Sequence, residues 1–150
     1  MRVEQVVVHR CELPLVRPFR TSFSTEYVKD VLVVEVVTDA GVGWGECVGS
    51  PAPLYSHEFN DATVLAWRDH LVPRLLGRDL AAEDVPALLG PVRGHPMAKA
   101  ALELGVLDAQ LRASGQSLAA YLGSTRAEIP CGVSVGIPDD DSLDTLLTEV

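Results

Sequence analysis

Two strand-like segments joined by a tight-turn signal constrain the fold of this chain more than any other feature. Residues 31–38 are almost all β-branched, which is typical of a strand covered on both faces. The turn at 39–41 ends in a glycine, which is free to adopt the positive φ that a hairpin requires. In residues 42–48 large side chains alternate with small ones, namely Gly43, Gly45 and Cys47. The pattern predicts an antiparallel hairpin whose small face lets another element pack close.

The flanking segments extend this prediction. Residues 3–13 are rich in valine and predict a first strand that ends at Pro14, which gives a three-stranded meander. Residues 18–27 predict a loop or a loose edge. After a proline-rich turn the apolar spacing changes to three and four residues, which indicates helices. We predict them at 59–76, 82–89, 96–115 and 117–122, with glycine stops at Gly77, Gly90, Gly115 and Gly123.

The longest predicted helix begins at Pro96, a favoured first helical position. Glu58 is predicted to lie in the first turn of the helix at 59–76, where the helix dipole favours an acid. The helix from Pro96 has two apolar faces and should therefore pack against two partners. One is a stripe of Met97, Ala100, Ala101, Leu104, Leu107 and Leu111, and the other consists of the small residues Ala98, Ala101, Gly105 and Ala109.

The last part of the chain predicts a separate strand–helix unit. Residues 129–135 favour a strand, and the residues from Ser142 onward have apolar side chains at helical spacing. The acidic run 139–141 lacks the glycine and the distal glutamate of a calcium loop, so we interpret it as an acidic helix start. One strand and one helix cannot form a sheet, so we expect the sequence to be cut off inside a larger α/β domain.

Composition excludes several classes of protein. Apolar residues make up 47% and charged residues 22%, which is typical of a globular domain. The formal net charge of −9 argues against nucleic acid and anionic membrane surfaces as partners. No apolar run approaches the roughly 18 residues of a membrane span, and the acidic start is unlike a signal peptide. Cys11, Cys47 and Cys131 are too widely spaced for a zinc site, so we predict buried thiols and a cytoplasmic protein.

Several motifs occur in an order that resembles the enolase superfamily. They are Pro18-Phe19-Arg20-Thr21-Ser22-Phe23, Trp44-Gly45-Glu46, Tyr55 with Glu58, Ala98-Lys99-Ala100-Ala101-Leu102-Glu103, Leu107-Asp108-Ala109 and Gly132-Val133-Ser134-Val135-Gly136-Ile137. Together they cover essentially the whole chain. They are most similar to the o-succinylbenzoate synthase and N-acylamino-acid racemase group of the muconate-lactonizing branch.

The resemblance implies an α+β capping domain, a three-stranded antiparallel meander plus a helical bundle, in residues 1–125. Residues 126–150 would then be the first β/α unit of a truncated (β/α) barrel of the TIM type. Active sites of such barrels lie at the C-terminal ends of the strands. Ser134 lies at that end of the predicted strand.

The chemistry implied by the resemblance is removal of a proton α to a carboxylate. A divalent metal, magnesium or manganese, would stabilise the enediolate, and a lysine would act as the base. The family carries Lys-x-Lys and three metal-binding acids on barrel strands. This sequence has only Lys29 and Lys99, neither in such a motif, and no acid that matches a metal position. We therefore expect no catalytic and no metal residue in this chain. Glu46, Glu103 and Asp108 are predicted to be structural.

By resemblance, the contribution of this part of the enzyme is substrate specificity. Two loops of the capping domain close over the barrel mouth, exclude water and contact the substrate tail. The residues that match are Phe19, Arg20, Thr21 and Phe23 of the first loop, Pro53 and Tyr55 of the second, and Ser134. Structural alternatives remain open for these residues. Phe19 and Phe23 could be part of the hydrophobic core, Tyr55 could cap the following helix, and the Ser134 hydroxyl could simply be bonded to the backbone.

Several functions remain open at this point. The leading hypothesis is an o-succinylbenzoate synthase, which dehydrates a cyclohexadiene carboxylate in menaquinone synthesis and also racemises N-acylamino acids. The alternatives are a dipeptide epimerase, a muconate-type cycloisomerase or a non-catalytic α+β binding module. The expected partners are a small-molecule carboxylate and further copies of the same chain in a homo-oligomer, with neither nucleic acid nor membrane.

Overall fold

The computed structural model describes residues 1–138 and 142–149. In these residues one sheet of three strands, in the order β1-β2-β3, is followed by five α-helices. The chain divides into two compact units, one of residues 1–11 and 30–124 and the other of residues 12–29 and 125–150. No helix in the described ranges is long and apolar enough to cross a membrane. The strands are β1 (Val3–Arg20), β2 (Thr25–Thr38) and β3 (Gly41–Cys47), and the helices are α1 (Asn60–Ala66), α2 (Val85–Leu89), α3 (Pro96–Ser114), α4 (Leu118–Tyr121) and α5 (Leu143–Glu149).

The predicted hairpin is confirmed. β2 and β3 pair antiparallel, with Val36 opposite Gly43 and Glu35 opposite Trp44. Gly41 has φ 137°, and the Thr38 hydroxyl donates to the Gly41 carbonyl at 2.7 Å across the turn. Hydrogen bonding within the turn and the freedom of glycine together set the register of the two strands.

The first hairpin is longer than the sequence predicts. β1 continues through Pro14 and Pro18 to Arg20, and β2 begins at Thr25, so only residues 21–24 form a turn. The predicted strand end at Pro14 and the loop over 18–27 are therefore wrong. The physical reason is that β1 is an edge strand. A proline, which cannot donate a hydrogen bond, is tolerated at an edge where its nitrogen faces away from the neighbouring strand.

The small face of β3 packs directly against α3, as predicted. A Cβ atom built on Gly43 would lie 2.1 Å from the Gly105 carbonyl oxygen, and one on Gly45 would lie 1.9 Å from that of Ala101. Asp108 accepts a hydrogen bond from the Trp44 backbone N–H at 2.9 Å, which satisfies an edge donor of β3 and confirms a structural role for this acid.

Which face of α3 is buried differs in part from the prediction. Ala100 and Leu104, assigned above to the large stripe, are exposed. The small face of Ala98, Ala101, Gly105 and Ala109 is buried as predicted, because small residues allow the helix axis to approach the sheet. The buried side of α3 comprises Ala98, Ala101, Leu102, Gly105, Val106, Ala109 and Leu111.

The first predicted helix, over residues 59–76, is present but irregular. α1 continues into a π turn over Trp67–Leu71 and a 3₁₀ turn over Val72–Arg74. Trp67 is 1% exposed, and its indole N–H donates to the Ala98 carbonyl at 2.8 Å. Two helix ends are as predicted: Ser117 caps α4 by accepting from the Ala120 N–H, and Gly115 ends α3 with φ 66°.

The C-terminal segment departs most from the prediction. Residues 129–135 form no strand, although α5 is present and Ser142 precedes it. A parallel barrel strand exists only through its neighbours, and the described residues supply no barrel strand to pair with it. The acidic run 139–141 lies outside the described residues. Cys47 is buried, but Cys131 in this segment is exposed and Cys11 is half-buried, so the prediction of three buried thiols is correct only for Cys47.

Candidate functional site

The turn between β1 and β2 is built on Thr21. Its backbone N–H donates to the Ser24 carbonyl at 2.8 Å, and its hydroxyl lies 3.1 Å from the same oxygen. The Ser24 N–H in turn donates to the Thr21 hydroxyl at 3.2 Å. The Thr21 side chain therefore closes the turn, and this role fixes the backbone that carries its neighbours.

The two phenylalanines of this region lie outside the hydrophobic core. Phe23 is in the turn and is 61% exposed, and Phe19 is half-buried at the end of β1. Neither residue belongs to the cluster of buried side chains that forms the core. The alternative that both are ordinary core residues is therefore wrong for this structure.

Phe19 and Ser134 line the same groove. It has a volume of about 650 Å³ and lies within the unit of residues 12–29 and 125–150. One wall is formed by residues 15–19 and Lys29, and the other by residues 133–138. The groove thus combines an aromatic ring, an exposed serine and the cations Arg17 and Lys29.

Arg20 connects the two walls. Its carbonyl accepts from the Ile137 N–H at 2.8 Å, and its guanidinium Nη1 donates to the Pro138 carbonyl at 3.1 Å. A Cβ atom on Gly136 would lie 3.2 Å from the Arg20 nitrogen and 3.3 Å from Phe19 Cδ2. The glycine therefore permits this close approach, which holds residues 136–138 against the end of β1.

Pro53 and Tyr55 belong to the other unit, in the loop of residues 48–59 between β3 and α1. We call it the β3–α1 loop. Both residues are exposed, Tyr55 by 80%. The N-cap of α1 is Phe59, which has no side-chain capping hydrogen bond. The alternative that Tyr55 caps this helix is therefore wrong.

Glu58 is the residue whose role the sequence did not predict. Its side chain is 1% exposed, and its carboxylate accepts from the Met97 and Ala98 N–H groups at the start of α3. The expectation that it lies in the first turn of its own helix is wrong, because α1 begins at Asn60. The signal in the sequence is the pair His95-Pro96. A helix that starts without a local Ser, Thr, Asp or Asn needs an acceptor from elsewhere.

The two lysines and the buried thiol of this chain are held in structural surroundings. Lys29 pairs with Glu26, and the Lys99 ammonium donates to the Val92 carbonyl. Burial raises the pKa of the Cys47 thiol, which keeps it protonated and unreactive. In residues 1–138 and 142–149 no group of three His, Cys, Asp or Glu side chains converges on a point where a metal ion would bind. The implied magnesium therefore does not fit the described residues of this chain.

Comparison with known proteins places these features in a family. Residues 3–123 match the family model described as "Mandelate racemase / muconate lactonizing enzyme, N-terminal domain". An N-succinylamino acid racemase from Amycolatopsis is 52% identical over 140 residues, which are 93% of this chain and 38% of that protein. An o-succinylbenzoate synthase from Listeria innocua is 36% identical over 138 residues, 91% of this chain and 36% of that protein.

Comparison with solved structures indicates the same family. A member of the enolase superfamily from Listeria innocua superposes with a TM-score of 0.89 at 34% identity, over 99% of this chain and 40% of the other. The chain spans about two fifths of the length of the proteins it matches. It belongs to the mandelate racemase/muconate lactonizing enzyme family of the enolase superfamily, and residues 3–123 form the N-terminal domain of that family.

Proposed function

We propose that this chain is the N-terminal part of an enzyme that removes a proton α to a carboxylate, acting as an o-succinylbenzoate synthase and also racemising N-acylamino acids. The observation that carries the proposal is that relatives with each of these two names match more than nine tenths of the chain. Both names contain a succinyl group, a short chain that ends in a carboxylate. A shared tail of this kind explains how one pocket serves two reactions.

We propose that the chain divides into two domains near residue 125. Residues 1–125 would be the capping domain, and residues 126–150 the first β/α unit of a (β/α) barrel. The family match ends at residue 123, and one compact unit ends at Ser124. On this proposal residues 129–135 become a strand when the neighbouring barrel strands are present to pair with them.

The proposed division of labour follows from the groups that this chain provides. Its two lysines are held by Glu26 and by the Val92 carbonyl, so neither is a good candidate for the base. The divalent metal, proposed to be magnesium, and the catalytic lysines would be supplied by the rest of the enzyme. The role left to this part is to recognise the substrate tail and to exclude water from the reacting carbon.

The groove supports such a role for the end of the first hairpin. Phe19 gives the groove apolar surface and Ser134 gives it a hydroxyl, while Phe23 offers exposed apolar surface in the turn that follows β1. Arg17 and Lys29 line the groove in a chain whose formal net charge is −9. Cationic side chains attract anionic groups, although Lys29 is already paired with Glu26. We propose that Arg20 and Thr21 also contribute to substrate specificity, and that Pro53 and Tyr55 of the other unit do so as well.

The test is truncation of each phenylalanine in the full-length enzyme. Phe19→Ala and Phe23→Ala should leave the melting temperature nearly unchanged, because neither ring is in the core. Each should lower kcat/KM by about 10- to 200-fold, the effect of losing one apolar contact in a pocket, and unequally for the two substrates. Leu13→Ala is the matched control, because Leu13 is on the same strand, 54% exposed, and outside the groove. A large fall in melting temperature with kcat/KM preserved in the folded fraction would remove both residues from the site.

A further inference from the structure

The β3–α1 loop combines an exposed apolar tip with a tightly bonded base. At the tip, Leu54 and Tyr55 are 83% and 80% exposed. At the base, the Asn60 N–H donates to the Ser50 carbonyl at 2.9 Å, and the Asn60 side-chain amide donates to the Asp30 carbonyl at 2.9 Å. The loop is therefore fixed where it leaves the sheet, while its tip is presented to solvent.

Glu58 fixes the other side of this base. Its two carboxylate oxygens lie 3.1 and 3.0 Å from the Met97 nitrogen, and Oε2 lies 3.3 Å from the Ala98 nitrogen. A buried carboxylate is costly unless it is well bonded, and a helix N-terminus supplies both free N–H donors and a favourable dipole. Burial of Glu58 thus depends on its bond to α3.

The start of α3 equally depends on Glu58. Its N-cap is His95, which has a left-handed φ of 55° and no side-chain capping bond, and Pro96 has no N–H. The Lys99 N–H is satisfied by the His95 carbonyl at 3.0 Å, which leaves the Met97 and Ala98 donors to Glu58. The helix end and the loop end are joined by one carboxylate across 39 positions of sequence.

We propose that Glu58 is a positioning residue for substrate recognition, because it ties the β3–α1 loop to the start of α3 and so fixes where Pro53 and Tyr55 are held. This inference rests on the proposed function of the loop in contacting the substrate tail. Fixing the backbone of a flexible loop costs conformational entropy. A loop ordered in advance by Glu58 does not pay that cost when the substrate binds.

A purely structural role for Glu58 makes a different prediction, and Trp67 separates the two. The Trp67 indole bonds to the same first turn of α3, at the Ala98 carbonyl, and the side chain is equally buried. Trp67 is in the π turn after α1 and not in the loop. Trp67→Phe therefore weakens the attachment of the same helix turn while it leaves the loop base intact.

The experiment compares Glu58→Ala, Glu58→Gln and Trp67→Phe in the full-length enzyme. We expect Glu58→Ala to raise KM for both substrates by about 10-fold with kcat within about twofold, because binding and not the proton transfer is affected. Glu58→Gln, which keeps the shape and one acceptor oxygen, should restore most of the affinity and secures the test if Glu58→Ala fails to fold.

Trp67→Phe should leave KM unchanged at a similar loss of melting temperature. Hydrogen exchange of residues 51–57, measured without substrate, should be at least about 10-fold faster in Glu58→Ala, faster by a smaller factor in Glu58→Gln, and unchanged in Trp67→Phe.

Two results would overturn the inference. One is unchanged exchange of residues 51–57 in the Glu58 variants, and the other is a KM increase in Trp67→Phe equal to that in Glu58→Ala. Failure of the proposed function is recognised separately, since wild-type enzyme would then convert neither substrate. The exchange comparison still decides in that case whether Glu58 anchors the loop.

Discussion

Gly45→Ala adds a single methyl group where the backbones of β3 and α3 pack against each other. The new Cβ would lie 1.9 Å from the Ala101 carbonyl oxygen, 2.9 Å from the Ala101 carbonyl carbon and 3.0 Å from the Gly105 nitrogen. All three atoms are backbone, so no side chain can rotate to make room. Ordinary contact begins at 3.4 Å, so α3 would have to retreat by about 1.5 Å in a core packed as densely as a crystal.

The cost of this displacement can be estimated from overpacked cores. Extra methylene groups cost typically 1–3 kcal/mol, and a contact with backbone belongs at the upper end, at about 3 kcal/mol. In a chain of this length, that corresponds to a melting temperature lower by about 6–12 °C. Leu102 and Val106, which are buried on the same side of α3, would lose contacts as the helix retreats.

The assay is equilibrium unfolding in urea with Glu46→Ala as the matched control. Glu46 is the next residue of β3 and points to the exposed face, so its truncation should change the free energy of unfolding by less than about 0.5 kcal/mol. Equal unfolding midpoints for Gly45→Ala and Glu46→Ala would refute the close packing of α3 on β3. A lower midpoint with an unchanged slope in Gly45→Ala would support it.

Two further predictions concern pH and metal. The pKa of Asp30 is lowered chiefly by its hydrogen bond with the Arg10 side chain. Such a carboxylate stabilises the fold above its ordinary pKa of 3.8, and that stability is lost as the pH falls through the lower folded value. The stability difference between wild type and Asp30→Asn, followed by urea unfolding, should therefore be constant near neutral pH and shrink below about pH 4; a difference that grows on acidification would contradict the assigned direction. Calorimetric titration of the 150 residues with magnesium should show no tight stoichiometric site, because no metal-binding cluster occurs in the described ranges; a 1:1 site would contradict this.

Features of the fold that depend only on residues close together in the sequence were predictable from it. The turn at Gly41, the end of α3 at Gly115 and the start of α4 after Ser117 each follow from a local rule of backbone conformation or capping. The glycine face of β3 was also predictable, because a run of alternating small residues implies a close neighbour. For the candidate site, the sequence motifs selected Phe19 and Ser134, which line one groove.

Other features were decided by position in the tertiary structure. The first hairpin extends through Pro14 and Pro18 because β1 is at the edge of the sheet, and strand order is not written in local sequence. The large apolar stripe of α3 is buried only in part, since Ala100 and Leu104 are exposed, and the helix pattern alone does not specify which of its two faces meets the sheet. Residues 129–135 show the converse, since their composition predicts a strand but the structure pairs them with no neighbouring strand.

Glu58 shows most clearly what only the tertiary structure decided. Its sequence context predicts an acid in the first turn of its own helix, where the dipole is favourable. In the structure its carboxylate accepts hydrogen bonds at the N-terminus of α3 instead. Met97, in the first turn of α3, lies 39 positions further along the chain. The sequence by itself determined that a carboxylate and an uncapped helix start were both present. Only folding brought them together, because the free energy of burying a charge depends on the donors around it and not on its neighbours in sequence.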